Sequence, residues 1–396
     1  MIVKKKDTQQ LLVKILIIMF VMSLLLYSKF VVSAAQKGLL LWFNLVLPSL
    51  FPFAVGTYLL IEYGLIEWIG YLFEPLMKPL FKISGIGAFA WIMGITSGYP
   101  MGAMITADLV KKKELTVVEG QRLLNLSNQA GPLFILGAVS VGILQWPQIG
   151  IYILIIQYLS AISMGVFFRF YGPVESKKST YIRNTRKPKK NIYSSSPILG
   201  TVLKKSVINA MDLLLQIGGF IILFSVIIEI MTQWQVTAIV QWFLLPFQHW
   251  LPLHPTLQKI CFFPLIEITN GIQMINETSA PVLQKLLLIN GAIAWSGFSI
   301  HAQTASVLQG SQLKMSVYII GKGIQSILAF FYTLLLFTLI KNKIPSPTFY
   351  STAILWKSSS DWSFTLIQST IRFGVAYVLL IMIGLFCSYF LFPRNS

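Results

Sequence analysis

Glycines, hydroxyls and amides collect at four places inside otherwise apolar surroundings. The first is Ser97, Gly98 and Tyr99 in "GITSGYPMGA"; the second is Ser127, Asn128, Gln129 and Gly131 in "NLSNQAGP". The third is Asn270, Gly271 and Gln273 in "EITNGIQ"; the fourth is Ser296, Gly297, Ser299, His301 and Gln303 in "AWSGFSIHAQT". The chemistry these residues offer is binding. A helix broken by glycine or proline exposes amide N–H and carbonyl groups. The N-terminal ends of half-helices then attract anionic groups through free N–H donors and the helix dipole. Glu267, three residues before Asn270, is the candidate for coupling to a proton or cation, with an ion pair to Lys285 as the structural alternative. His301 is a second coupling candidate, although a single histidine among membrane helices is commonly a helix-to-helix hydrogen bonder.

Each cluster also has a plainer reading. Gly98 and Gly102, four apart, could serve close helix packing, but Pro100 between them favours a real break. The amides of the second cluster could be interhelical glue, and Trp295 and Phe298 could pack rather than stack on a planar ligand. No enzyme signature competes. The chain has no GxxxxGK[ST], no HExxH and no nucleophile–histidine–acid set, so no catalytic residue, metal or cofactor is expected. Its two cysteines, Cys261 and Cys387, lie far apart in apolar runs and outline neither a disulfide framework nor a metal cluster.

The elements that must carry these clusters are membrane helices. Of 396 residues, 55% are hydrophobic and only 11% charged, where a soluble domain carries about a quarter. The runs Leu11–Val32, Leu39–Ile61, Gln148–Phe168, Asp212–Ile230, Val317–Ile340 and Phe373–Phe392 approach or exceed the ~20 residues that cross a bilayer. The formal charge of +18 would point to nucleic acid in a soluble protein, but here the basic residues sit in the connections. Lys4–Lys6, Lys111–Lys113 and the segment 171–205 carry about half of the basic residues, which marks cytosolic loops by the positive-inside rule, with no nucleic-acid partner. The basic start, apolar stretch and Ser33-Ala34-Ala35 imitate a signal peptide, but the run is long for one and reads as an uncleaved first span.

Charge placement constrains the topology. With Lys4–Lys6 and Lys111–Lys113 both cytosolic, Ile83–Ile105 must enter the membrane and return, turning near Gly98. The second half then starts from the opposite side, with its own hairpin turning at Asn270-Gly271. The pairs Gly98/Gly271 and Gly131/Gly297 are separated by nearly equal stretches of chain, which points to duplication. The expectation is an all-α polytopic membrane protein of about eight transmembrane helices plus two re-entrant hairpins, arranged as two inverted repeats. Its parts are an N-terminal anchor (1–37), a first repeat (38–170), a basic cytosolic linker (171–205), a second repeat (206–340), and a linker with a C-terminal span (341–396). Inverted repeats with paired discontinuous helices are the hallmark of secondary transporters.

The runs "GITSGYPMGA", "LLNLSNQAGPLFILGAV" and "EITNGIQ…AWSGFSIHAQT" resemble the sporulation integral membrane protein family of endospore formers known as YlbJ or SpoVV. The likeness is specific in "SGYPMGA" and "NQAGP", and looser in the basic linker and C-terminal region. Both halves also look like the nucleoside-recognition Gate domain found in concentrative nucleoside transporters and ferrous-iron transport proteins. The resemblance implies insertion in the outer forespore membrane and movement of dipicolinic acid from the mother cell toward the forespore. Dipicolinate is a planar pyridine with two carboxylates, a small anionic substrate that two opposed half-helix ends and an amide set would suit. The second tip differs in sequence from the first, so a symmetric clamp does not follow. Two other readings stand beside this one: a nucleoside or related metabolite carrier, and a non-transporting assembly subunit whose basic linker recruits a partner or anionic lipid. The expected partners are the lipid bilayer and, as an open alternative, a second copy of the chain in a homo-oligomer.

Overall fold

The computed structural model describes residues 2–172, 199–244 and 253–340, and among them every regular element is a helix. The expected C-terminal span, the 341–361 segment and most of the basic linker lie outside the described residues. The N-terminal part runs through α1 (Ile2–Leu26), α2 (Ser28–Leu41) and a π-helical turn (Trp42–Val46) into α3 (Leu47–Glu62) and α4 (Leu65–Phe81). Next come α5 (Gly87–Ser97), α6 (Met101–Lys111), α7 (Val117–Ser127), a π-helical segment (Phe134–Ile143) and α8 (Pro147–Phe168). Beyond the linker are α9 (Leu199–Gln233), α10 (Val236–Leu244), α11 (Pro255–Ile260), α12 (Phe263–Ile266) and α13 (Ile268–Asn276). The last described helices are α14 (Val282–Trp295), α15 (Gly297–Val307) and α16 (Met315–Ile340).

Helix α8 shows why these sequences make membrane helices. Its inward row, Ile149, Ile153, Ile156, Ser160 and Met164, is buried. Its outward row, Ile151, Ile155, Leu159 and Ile162, is equally apolar and exposed. A soluble helix would be polar on that second face; lipid asks for the opposite. Among the described residues three helices are long and apolar enough to cross a bilayer: Pro147–Phe168, Leu199–Gln233 and Met315–Leu339. A fourth candidate is a pair, Lys14–Leu26 and Ser28–Val46, bent by 97°.

That bend corrects one expectation. Leu11–Val32 is not a single straight span, because the chain turns at Tyr27, just before Ser28 and Lys29, where polar residues interrupt the run. The stretch Leu123–Leu144 is likewise divided, ending α7 at Ser127 and resuming as the π-helical segment. At its other end α7 is sharply defined. Thr116 accepts from the Glu119 amide, and the Glu119 carboxylate accepts from the Thr116 amide, the reciprocal arrangement that fixes a helix start.

Two cores position the site. One gathers the inner faces of α2 to α7 against α9, with Trp42, Phe89, Met101 and Leu214 among its members. The other joins the π-helical segment and α8 to α13 and α14 through Ile135, Ile149, Ile272 and Ile289. The candidate residues lie where these two masses meet.

Candidate functional site

The first tip is a true reversal. A Cβ added to Gly94 would lie 2.9 Å from the Cα of Gly102. In one continuous helix, residues eight apart would be separated by about 12 Å at 1.5 Å of rise each. Helices α5 and α6 therefore fold back on each other, as the charge pattern required. Gly98, with φ of 85° and ψ of −169°, makes the turn in a region that suits glycine. The close-packing glycines are Gly94 and Gly102, whose added Cβ atoms would sit 1.9 and 2.2 Å from the carbonyl oxygen of Ser127. Two limbs and a third backbone thus meet at one point. Ser97 shares a hydrogen bond with the hydroxyl of Thr57, and Tyr99 donates to the carbonyl of Ile293 at 2.7 Å.

The second cluster meets the tip directly. A Cβ on Gly98 would lie 2.9 Å from the amide nitrogen of Gly131, and one on Gly131 would lie 3.1 Å from that of Gly98. Ser127 shares a hydrogen bond with Thr106 at 3.1 Å. Asn128 reaches the other half of the chain, donating to Thr304 Oγ1 at 3.0 Å and to the Tyr318 hydroxyl at 2.7 Å. Gln129 donates to the Asn125 carbonyl at 2.9 Å and accepts from Gln325 at 2.7 Å.

The second half repeats the reversal, shifted along the sequence. The break falls at Glu267, whose backbone is extended (φ −142°, ψ 120°), and not at Asn270-Gly271. Asn270 and Gly271 lie in the first turns of α13, and a Cβ on Gly271 would sit 2.3 Å from the Cα of Pro264. The physical reason is capping. The Glu267 carboxylate accepts from the amides of Thr269 at 3.1 Å and Asn270 at 2.7 Å, and from the Asn270 side chain at 2.9 Å, so helix begins right after it. Its partners are these; Lys285 donates to the Asn276 carbonyl at 2.9 Å. Asn270 also donates to Ser225 at 2.8 Å. Gln273 is exposed, donates to Glu277 at 3.2 Å, and stays outside the group.

At the fourth cluster, Ser296 and Gly297 both take left-handed backbone (φ 78° and 72°), which separates α14 from α15. A Cβ on Gly297 would lie 3.2 Å from the Ile266 carbonyl oxygen. Each half therefore presses its hairpin tip against its later break. His301 is ringed by Trp295, Tyr318 and Phe298, with centroids at 4.6, 5.5 and 6.1 Å. Ser299 Oγ, both nitrogens of His301 and both amide atoms of Gln303 are buried without a hydrogen-bond partner among the described residues.

These pieces enclose a cavity of about 40 Å³. Gly98, Tyr99, Gly131 and Phe134 line it from the first half, and Glu267, Thr269, Ser299 and Gln303 from the second. It has room for about three water molecules at ~10–15 Å³ each. A planar ring with two carboxylates needs it wider. Glu267 also occupies the N-terminal amides of α13, so the anion seat expected at the second tip is filled by the chain's own carboxylate.

Lys322, which sequence reasoning missed, is fully buried beside the second cluster. It donates to the Asn128 carbonyl at 2.6 Å, Gln325 Oε1 at 3.0 Å and Gln129 Oε1 at 3.1 Å. Its signature was available: a lone lysine between two glycines in "GKGIQS", inside an apolar run.

A helical, polytopic membrane protein whose broken helices converge on a small, mostly apolar cavity with a few polar groups on its wall is the class that this fold and geometry define. The family model of the Gate domain, described as nucleoside recognition, matches residues 43–186, the first hairpin and its partner break included. The sporulation integral membrane protein YlbJ of Bacillus subtilis (strain 168) is 33% identical over 313 residues, 77% of this chain and 77% of that protein. The chain belongs to the YlbJ family of sporulation integral membrane proteins. No solved structure matches it.

Proposed function

We propose that this protein is a secondary transporter or facilitator of a small anionic solute, dipicolinic acid, carried from the mother cell across the outer forespore membrane. The observation that carries the reading is the chamber itself. Gly98 and Tyr99 of the first tip, Gly131 of the first break and Glu267 to Thr269 of the second tip line the same small space. Ser299 and Gln303 of α15 line it with them, and their polar atoms have no hydrogen-bond partner among the described residues. Broken backbone at membrane depth is tolerated where it is buried in protein or faces a watered cavity, and unpaired buried polar atoms call for a ligand or water. The two halves act as inverted repeats.

In this reading Ser97 to Tyr99, Ser127 to Gln129 with Gly131, and Ser296 to Gln303 form the substrate path. Glu267 is the coupling carboxylate, positioned on the cavity wall by its own helix amides, and His301, within its ring of Trp295, Tyr318 and Phe298, is the secondary candidate. The function is transport rather than catalysis. The nucleoside-recognition description of the matched family model favours a second reading, a nucleoside or related metabolite carrier; fold-level likeness does not choose a substrate.

The test is uptake of labelled dipicolinate into proteoliposomes, with a nucleoside panel run in parallel, for wild type, Ser97→Ala, Asn128→Ala and Glu267→Gln. Saturable dipicolinate uptake that the first two variants lose, and a response to an imposed pH gradient that Glu267→Gln loses, is the expected result. Nucleoside uptake without dipicolinate uptake selects the second reading. No uptake of either by folded protein under any gradient removes transport as the function.

A further inference from the structure

The cavity wall carries a carboxylate and no cation, an odd lining for a site that takes anions. The missing positive charge lies one side chain behind the wall. Lys322 sits within α16 at 0% exposure, and its three N–H donors are all used, on the Asn128 carbonyl and the side-chain oxygens of Gln129 and Gln325. All three acceptors are neutral. Its other neighbours are the ring faces of Tyr99 and Tyr318, each with its centroid 5.7 Å from Nζ. Among the described residues no carboxylate stands within ion-pairing distance of it.

An ammonium buried without counter-charge is costly, even when every donor is bonded. Neutral oxygens and two aromatic faces lower the cost without cancelling the charge. Tyr99 links this charge to the chamber, since it touches the ammonium and lines the cavity. The hydroxyl of Tyr99 is held by Ile293 of the opposite half. Its ring is therefore a fixed partition, thin enough for the field of the ammonium to act beyond it in a low-dielectric interior.

The geometry points to Lys322 as the charge-selecting group of the chamber: its ammonium, held behind Tyr99 by Asn128, Gln129 and Gln325, is the counter-charge for the carboxylate of an anionic ligand. This inference rests on the transport reading and adds what the cavity lining lacks. It also explains why the break at Asn128 is oriented as it is, since the carbonyl freed there is the shortest contact of the ammonium. A purely structural Lys322, pinning α16 to the break, would make the same hydrogen bonds but would not discriminate between charged and neutral ligands.

The experiment uses full-length protein in detergent and compares binding of dipicolinate with binding of its neutral diamide. Lys322→Met removes the charge. Gln325→Glu keeps the side-chain shape, places a carboxylate on the ammonium and neutralises it in place, so it serves where Lys322→Met does not fold. Dipicolinate affinity should fall by about tenfold or more in either variant, on the scale of one unit charge acting through about 10 Å of protein. Diamide binding of Gln325→Glu should stay as in wild type, while its melting temperature falls because the hydrogen bond that Gln325 Nε2 donates to Gln129 Oε1 is lost. Unchanged dipicolinate affinity in Gln325→Glu, or an equal loss for both ligands, overturns the role of Lys322 and leaves the transport reading standing. Failure of the folded wild type to bind either ligand overturns both.

Discussion

The hydroxyl of Tyr99, at the tip of the first hairpin, donates to the main-chain carbonyl of Ile293 in α14 at 2.7 Å, tying together positions 194 residues apart. The Asn128 side chain makes a second tie to Thr304 and Tyr318, and the Asn276 side chain a third to the Ile143 carbonyl. The two halves are thus joined by directional bonds across apolar packing. Those of Tyr99 and Asn128 come from the helix breaks, and others, such as Gln157 to Asn290 and Gln121 to Lys314, lie along the helices.

Tyr99→Phe keeps the ring and deletes one of these ties. A net hydrogen bond is worth about 1 kcal/mol, so the variant should melt a few degrees below wild type while remaining folded. Thermal unfolding followed by tryptophan fluorescence in detergent measures this. A melting temperature equal to that of wild type would show that the bond carries no net stability.

Gly94→Ala and Gly102→Ala should fail to give a monodisperse protein. Their new methyl groups would sit within 2.2 Å of the Ser127 carbonyl oxygen, a backbone atom that cannot step aside. Gly219→Ala, in α9, meets nothing within 4 Å and should be neutral or gain up to ~1 kcal/mol from helix propensity. Size-exclusion profiles of fluorescent fusions separate the two cases. A normal profile for Gly94→Ala would refute the close approach of hairpin and break.

Glu267→Ala removes the cap of α13 and should cost about 1–2 kcal/mol. Glu267→Gln retains an oxygen acceptor for one amide and should cost less. Melting temperatures of the pair, read beside their transport, separate capping from coupling. Equal stability of both with wild type would show that the carboxylate does not hold the helix start.

Gln303→Leu gives the opposite pattern. Its amide atoms are buried without partners among the described residues, and replacing an unsatisfied polar group with an apolar one of similar size relieves a penalty of about 1–3 kcal/mol. The variant should melt at or above the wild-type temperature and lose substrate binding. Destabilisation would instead mean that the amide is satisfied within the folded protein.

Much of this was readable from sequence for a clear reason. Glycine and proline inside apolar runs have few uses, so the breaks at Gly98, Gly131 and Gly297 declared themselves. With Lys4–Lys6 and Lys111–Lys113 on one side and two crossings between them, the remaining apolar segment Ile83–Ile105 has to reverse, and Gly94 against Gly102 realises that reversal. The second tip was misplaced by a few residues because Gly271 looked like the turn. Its glycine instead serves contact with Pro264 inside a helix, and Glu267 does the capping. Gln273 fell outside because two residues along a helix turn the side chain nearly to the far face. Lys322 escaped because one charge barely dents the hydropathy of a long span, and only its surroundings show what it is for. The bend at Tyr27 has no glycine or proline to announce it.

The contact between the Gly98 and Gly131 backbones has a mechanical consequence. With no side chain between them, tip and break of the first half have no slack, so they travel as one block. The Gly297 contact with the Ile266 carbonyl couples their counterparts in the same way. On the transport reading, widening the chamber to admit a ring requires block to slide past block, along the seam where Tyr99 meets Ile293. On that reading the unlocking step is an exchange of hydrogen bonds along this seam.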